Sequence, residues 1–182
     1  MPVLNAHQSF VLIVDMQTGL LPAIADHQAL VERAGKLAQA ARLLGVPVLA
    51  TEHWAEKIGP TDASLLPHID KVLHKTHFDA TREADFLPAL PVGRTRVLLL
   101  GTESHVCVLQ TGLGLSERGY EPVLVGDCVG SRHPESRQAA WDRWAMHGLE
   151  RVSAEMALFE WLETPANPAF KSVLALIKKM DS

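Results

Sequence analysis

Short aliphatic runs alternate along the chain with longer segments whose apolar residues recur at helical spacing. The aliphatic runs predict six strands, at residues 10–15, 47–51, 69–74, 96–100, 121–125 and 151–153. The helical spacing predicts helices at residues 26–44, 82–90, 107–118, 134–147, 155–162 and 170–180. Buried strands that alternate with helices are typical of parallel sheets covered on both faces. We therefore predict an α/β fold, a three-layer α/β/α sandwich with a mostly parallel six-stranded sheet, in a single domain over residues 1–182.

Composition narrows the class of protein. The 182 residues carry a net charge of −4 that is spread along the chain, so no basic surface for nucleic acid or anionic lipid is predicted. No apolar stretch is long enough for a membrane span, and residues 1–7 lack the features of a secretion signal. Two cysteines are too few for a disulfide framework. We therefore expect a cytoplasmic protein that acts on a small molecule, without nucleic-acid or membrane partners.

Three polar residues fall where predicted strands end: Asp15, Lys75 and Cys107. Right-handed crossovers bring the carboxyl ends of parallel strands to one edge of the sheet, where ligands bind in open α/β folds. Cys107 is also predicted at the first turn of a helix, whose amide dipoles favour a thiolate. A carboxylate that takes the thiol proton and an ammonium that stabilises both anions would complete a nucleophilic site. The same residues also fit structural roles, as a packing cysteine, a solvated lysine and an aspartate in a turn.

The motifs around these residues resemble, in order, those of the isochorismatase-like cysteine hydrolases, a family that includes nicotinamidases and N-carbamoylsarcosine amidohydrolases. The resemblance covers about residues 9–162. It is carried by VLIVDMQ at 11–17, HKTHFDA at 74–80, GTESHVCVLQT at 101–111, the segment from 119 to 127 with SR at 131–132, and SAEMALFE at 153–160. The loop at residues 51–61 resembles that of the uncharacterised isochorismatase-domain hydrolases. Each segment alone is only moderately specific for this family, but all of them in this order are specific for it.

The resemblance implies a role for each of the three polar residues. Asp15 would act as general base, Lys75 as its charge partner and Cys107 as nucleophile. A non-proline cis peptide would precede the nucleophile at Thr102–Glu103 and aim the Glu103 amide, together with the Cys107 amide, at an oxyanion. The implied reaction is attack of a thiolate on the carbonyl of a small amide or ureido-type substrate, loss of ammonia or an amine, and hydrolysis of the thioester.

The chain also departs from the pattern of individual relatives. Isochorismatase itself lacks the cysteine and cleaves a vinyl ether, so Cys107 argues against that substrate. Nicotinamidases generally bind a metal through an Asp-x-His pair and another histidine, whereas residues 51–61 read TEHWAEKIGPT, with no further histidine before His68. One carboxylate and one imidazole are a poor ligand set for a divalent cation. We therefore expect neither a metal nor a cofactor, and nicotinamide becomes a less favoured substrate.

Four further residues are candidates for substrate binding: Gln17, Trp54, Phe78 and His105. His105 could instead form a Cys–His dyad with Cys107, although side chains two residues apart on a helix diverge. Trp54 could equally be buried in an interface. The resemblance implies an oligomer, because relatives often build their pockets with a neighbouring subunit, and we expect a dimer or a tetramer. Two other functions stay open: a non-catalytic binding or scaffold protein of this fold, and a redox-sensing thiol protein.

Overall fold

A parallel sheet forms the centre of the structure, a computed structural model that describes residues 3–180. Its strands are β1 (Ser9–Val14), β2 (Val48–His53), β3 (Lys71–Lys75), β4 (Arg96–Thr102), β5 (Glu121–Gly130) and β6 (Glu150–Val152). They lie in the order β3-β2-β1-β4-β5-β6, and every pairing is parallel. The predicted six-stranded sheet is confirmed, and it is wholly parallel.

Helices cover both faces of this sheet. Within the described residues they are α1 (His27–Leu43), α2 (Ala55–Ile58), α3 (Leu109–Glu117), α4 (Pro134–Met146), α5 (Ala154–Leu162) and α6 (Phe170–Ile177). Successive side chains along each strand point to opposite faces of the sheet and so contribute to two separate cores. One core packs against α1, α5 and α6, and the other against α3 and α4. The predicted three-layer sandwich is therefore confirmed. No helix in the described part of the chain has the length and hydrophobicity of a transmembrane segment.

Two local predictions need correction. The helix predicted at residues 82–90 is replaced by two 3-10 turns, Ala80–Arg82 and Leu87–Ala89. Pro88 donates no backbone hydrogen bond and disfavours a helical conformation in the residue before it, so a continuous helix cannot pass through this segment. β5 also runs beyond its predicted end at residue 125, after a shift of register against β4.

Gly101 allows β4 to pass close to β1 at the carboxyl edge of the sheet. Its φ is +130°, a conformation that residues with side chains rarely adopt, and a Cβ here would lie 2.0 Å from the carbonyl oxygen of Val14. Val14 is the last residue of β1 and immediately precedes Asp15. Gly101 therefore sets the distance between the two strand ends that lead to Asp15 and Cys107.

Replacing Gly101 by alanine should lower the free energy of unfolding by about 3 kcal/mol or more, because overpacking adds to a strained φ. Gly93 is a matched control, since its φ is +77° but no atom lies within 4 Å of an added Cβ. Gly93→Ala should therefore cost only about 1–2 kcal/mol. Urea unfolding measures both losses, and equal losses for the two variants would contradict the importance of the close contact.

Candidate active site

Asp15, Lys75 and Cys107 meet at the carboxyl edge of the sheet. Asp15 follows the last residue of β1, Lys75 is the last residue of β3, and Cys107 lies in a π-helical turn after β4. Because β1 lies between β2 and β4, and β3 lies beside β2, the fold brings these distant parts of the chain together. We call the three side chains the Asp–Lys–Cys cluster.

A buried ion pair forms the centre of this cluster. Lys75 Nζ lies 2.7 Å from Asp15 Oδ2, and the two side chains are 1% and 0% exposed. Asp15 Oδ1 accepts a hydrogen bond from Thr51 Oγ1 at 2.6 Å. Lys75 Nζ also donates to the carbonyl oxygens of His77 and Phe78, at 3.2 and 3.4 Å. Since buried charges need partners, these contacts offset part of the cost of burying both groups.

Cys107 is buried against the ion pair, with 5% of the residue exposed. Its side chain is within hydrogen-bonding reach of both Asp15 and Lys75. Burial and the negative charge of Asp15 raise the pKa of the Cys107 thiol to about 12, while the positive charge of Lys75 acts in the opposite direction. Helix dipoles were expected to favour a thiolate, but loss of hydration and the adjacent carboxylate outweigh them here. The Cys107 side chain is therefore a neutral thiol at pH 7.

The end of β4 is anchored on both sides of a cis peptide bond. This bond joins Thr102 to Glu103, the position that the resemblance implies. Thr102 Oγ1 donates to the backbone carbonyl oxygen of Asp15 at 2.7 Å. The Glu103 carboxylate accepts from Nε of Arg132, which lies 3.0 Å from Oε1. These contacts connect β4 to β1 and to the segment after β5, so the backbone that leads to Cys107 is held in place.

His105 is turned toward Ser131 and not toward Cys107. Its Nδ1 lies 3.0 Å from Ser131 Oγ and 3.7 Å from Glu103 Oε2. The side chains that act on the Cys107 thiol are those of the ion pair, and His105 is not among them. The structure therefore does not form the alternative Cys107–His105 dyad. The His105 side chain is 27% exposed, and its contact with substrate stays a prediction.

Gln17 is a correction to the predicted set of substrate-binding residues. Its side chain is fully buried, and its amide bonds to backbone groups. Oε1 accepts from the His53 N–H at 2.7 Å, and Nε2 donates to the carbonyl oxygens of His53 and Gly59 at 3.0 and 2.7 Å. Both amide protons are thus used inside the protein. Gln17 positions the end of β2 and the loop after it, and it does not face a substrate.

Trp54 and Phe78 remain candidates for the pocket wall. They are 46% and 51% exposed, which is high for large apolar side chains beside a buried site. The Phe78 ring packs on His53, with ring centroids 5.2 Å apart, and Lys57 Nζ lies 3.9 Å from the Trp54 ring centroid. A groove of about 460 Å³ is lined by Trp54 and Lys75. A larger cavity of about 680 Å³, between the starts of α1 and α4, includes no member of the Asp–Lys–Cys cluster.

The side chains at the end of β2 do not fit the metal site of nicotinamidases. Glu52 and His53 are consecutive in a strand, so they point to opposite faces of the sheet. Glu52 faces His74, with 3.4 Å between Oε2 and Nδ1, whereas His53 is paired in register with Lys75. Within residues 3–180, no three His, Cys, Asp or Glu side chains are grouped closely enough to hold a metal ion. The absence of a metal in the working protein stays a prediction.

Glu83 is a site residue that sequence patterns did not reveal. Its Oε1 accepts from the backbone N–H groups of Thr76 and His77, at 2.7 and 2.9 Å, and lies 2.8 Å from His77 Nδ1. The backbone hydrogen bond from His77 is the largest influence, and together these contacts lower the pKa of Glu83 to about 2 despite partial burial. Glu83 therefore fixes the loop whose carbonyl groups hold Lys75. Glu83 lies in the segment that was predicted as a helix, and that prediction gave no sign of a role beside Lys75.

The fold and the cluster together define an α/β protein with an acid, an ammonium and a thiol at one site. A family profile described as "Isochorismatase domain" matches residues 9–156. Since this match spans most of the chain, the chain belongs to the isochorismatase domain family of hydrolases.

Individual relatives agree with this assignment. The secreted isochorismatase effector Isc1 of Phytophthora sojae is 30% identical over 180 residues, covering 95% of this chain and 86% of that protein. Isochorismatase domain-containing protein 1 of Salmo salar is 34% identical over 166 residues, covering 90% of this chain but 59% of its own length. Among solved structures, the MAR1 ribonuclease of Caenorhabditis elegans has a TM-score of 0.91 at 28% identity, covering 97% of this chain and 93% of that one.

Lys75→Met should lower the free energy of unfolding by about 3–5 kcal/mol, because it leaves the Asp15 carboxylate buried without a cation. The double variant Asp15→Asn/Lys75→Met should lose less free energy of unfolding than the single variants Asp15→Asn and Lys75→Met together, because neither charge remains. Lys71→Met, at the exposed start of the same strand, should change stability by less than about 0.5 kcal/mol. Denaturant unfolding at pH 7 measures all four variants. A loss for Lys75→Met no larger than that for Lys71→Met would contradict a buried ion pair.

Glu83→Gln should destabilise the protein at neutral pH and have progressively less effect in acid. The pKa of Glu83 is lowered from 4.5 to about 2, so its carboxylate stabilises the folded state above the unfolded value. This contribution should be lost as the pH falls from about 4.5 toward about 2. Thermal unfolding across this range, with the exposed Glu117→Gln as control, measures the effect. A difference from the wild type that does not change with pH would contradict the assigned hydrogen bonds.

Proposed function

We propose that this protein is a cysteine hydrolase that cleaves the C–N bond of a small amide or ureido-type substrate through a thioester. The observation that carries the proposal is the buried Asp–Lys–Cys cluster, in which a buried thiol interacts with both members of an ion pair. Each group meets one need of this chemistry: Cys107 is the nucleophile, Asp15 is the base for its proton, and Lys75 supplies a fixed positive charge. Membership of a hydrolase family supports the same reaction type.

The first half of the reaction forms the thioester. As Cys107 Sγ attacks the carbonyl carbon, its proton passes to the Asp15 carboxylate and the carbonyl oxygen becomes an oxyanion. The backbone amides of Glu103 and Cys107 are assigned to stabilise that oxyanion. When the intermediate collapses, the C–N bond breaks and the Asp15 proton moves to the leaving nitrogen. Ammonia or an amine departs, and the acyl group remains on sulfur.

The second half of the reaction regenerates the enzyme. A water molecule attacks the thioester carbonyl while its proton passes to Asp15. The C–S bond then breaks, the acid product leaves, and Asp15 returns its proton to Cys107. Lys75 keeps its charge throughout, because its role is to hold Asp15 ionised between the two proton transfers.

The neutral resting state of Cys107 supports this general-base route. With its pKa raised to about 12, the thiol cannot supply a useful amount of thiolate at pH 7. A base near the sulfur is therefore required at the moment of attack, and the interaction of the Asp15 carboxylate with the thiol supports Asp15 in this role. Attack on an amide carbonyl is a reaction in which the thiol proton can pass to Asp15 in the same step.

The other functions considered are less well supported. A redox sensor needs an exposed cysteine of low pKa, whereas Cys107 is 5% exposed and its pKa is raised. A scaffold protein gains nothing from a buried ion pair, which is costly to desolvate. The related protein from Caenorhabditis elegans is named a ribonuclease, but a net charge of −4 does not favour binding a phosphate backbone.

The expectations about assembly and location belong to the same proposal. Trp54 and Phe78 are exposed beside the site, which supports a homo-oligomer whose second subunit completes the pocket wall. Both cysteines are free and buried, which agrees with a reducing compartment such as the cytoplasm.

Ammonia release from a panel of small amides and ureido compounds tests the proposal, with RNA cleavage measured in parallel. Cys107→Ala should abolish turnover of any substrate found, and Asp15→Asn should lower kcat by about 10²–10⁴-fold, the range of general acid–base catalysis. Cys128 is buried in the opposite core, so Cys128→Ala should retain activity. Adding a chelator should not change the rate.

Two results would contradict the proposal. Turnover that survives Cys107→Ala would show that sulfur is not the nucleophile. RNA cleavage that depends on Cys107, without release of ammonia from any amide, would assign a different substrate class to the site.

A further inference from the structure

His53 has a buried ring nitrogen without a hydrogen-bond partner. The residue is 8% exposed, and its Nδ1 makes no hydrogen bond within the described part of the chain. Buried polar groups are nearly always paired in folded proteins, so an unpaired one calls for an explanation such as contact with a ligand. His53 is also outside the set of residues assigned so far to the reaction.

The imidazole lies on the same face of the sheet as the Asp–Lys–Cys cluster. His53 and Lys75 are paired in register on neighbouring parallel strands, so their side chains point the same way. Thr51, two residues earlier in β2, donates to Asp15 on this face. Leu49, a further two residues back, packs in the same core as Cys107. Alternation along β2 therefore directs His53 toward the reacting groups.

The charges of the Asp–Lys–Cys cluster affect the pKa of His53. Burial first, and then the positive charge of Lys75, lowers the pKa of His53, while Asp15 acts in the opposite direction. The imidazole is therefore neutral at pH 7. A neutral imidazole nitrogen either donates or accepts a hydrogen bond, depending on the tautomer.

Gln17 and Phe78 both contact His53. Gln17 bonds to both its N–H and its carbonyl oxygen, at 2.7 and 3.0 Å. The Phe78 ring packs on the imidazole, and Phe78 is 51% exposed. Exposed side chains change rotamer quickly. Phe78 is thus a movable side chain beside the imidazole, in a site where Cys107 too is nearly closed to solvent.

We propose that His53 determines specificity by hydrogen-bonding a polar group of the substrate beside the scissile carbonyl, once Phe78 has moved aside. The inference rests on the proposed function, because it assumes that the substrate reacts at Cys107. It narrows the substrate class to amides or ureido compounds with a hydrogen-bonding group in the part that is transferred to sulfur. Purely aliphatic acyl groups would leave His53 unpaired and bind less well.

Two methanethiosulfonate reagents of equal size test this contact. One carries a carbamoylmethyl group and the other an isobutyl group, which is similar in size and branched at the same position. In either reaction Cys107 Sγ attacks the reagent's divalent sulfur, a disulfide forms, methanesulfinate leaves, and the thiol proton goes to Asp15. Labelling rates are measured by mass spectrometry in a Cys128→Ala background, so that only Cys107 reacts.

The ratio of the two labelling rates is the readout. His53→Phe should lower the preference for the carbamoylmethyl reagent by about tenfold, the size expected for one hydrogen bond. His53→Gln, which restores a hydrogen-bonding group, should keep the preference within about threefold of the wild type. His53→Leu replaces His53→Phe if the larger ring prevents folding, which circular dichroism shows.

The outcomes separate this inference from the proposed function. An unchanged ratio in the apolar variant that folds would overturn the role of His53. Asp15→Asn removes the base but leaves His53 in place, so it should keep the ratio of the two labelling rates unchanged. If Asp15→Asn releases ammonia from the amide panel as fast as the wild type, the proposed mechanism fails while the ratio in the His53 variants still reports on specificity.

Discussion

The ion pair between Lys75 Nζ and Asp15 Oδ2, 2.7 Å apart and fully buried, is the interaction on which the rest of the site depends. Two desolvated charges are stable only where the fold surrounds them with further donors and acceptors. Thr51 supplies the donor to Asp15, and the loop after β3 supplies carbonyl oxygens to Lys75. Glu83 in turn fixes that loop through its backbone N–H groups. The contacts at this edge of the sheet therefore support one ion pair that is buried away from water.

The same pair decides how the sulfur can react. A thiol buried beside a carboxylate keeps its proton, and the nearby ammonium only partly offsets this effect, so the pKa of Cys107 is raised. In the proposed reaction, reactivity then comes from the transfer of a proton to Asp15 during attack and not from a stored thiolate. His53, whose backbone is held by Gln17, has a neutral imidazole on the same face, and we infer that this ring hydrogen-bonds the substrate.

The sheet could be predicted because strands buried on both faces have continuous aliphatic runs, and their carboxyl ends must share one edge. That rule placed Asp15, Lys75 and Cys107 together. Side-chain direction was not predictable in the same way, because the motif around Gln17 does not show that its amide turns inward to the backbone. Glu83 lies in a segment that was wrongly predicted as a helix, so its contacts with the loop after β3 were not foreseen. The protonation state of the thiol depends on burial, which only the packed structure provides.

The ultraviolet absorbance of the Cys107 thiolate tests the central claim most directly. The difference in absorbance between the wild type and Cys107→Ala, recorded as the pH is raised, isolates this one sulfur. With a pKa raised to about 12, no thiolate signal should appear up to about pH 10. A titration midpoint at or below that of a free cysteine, about 8.5, would contradict the account. It would mean that the ion pair stores a thiolate and that Asp15 is not needed to generate it.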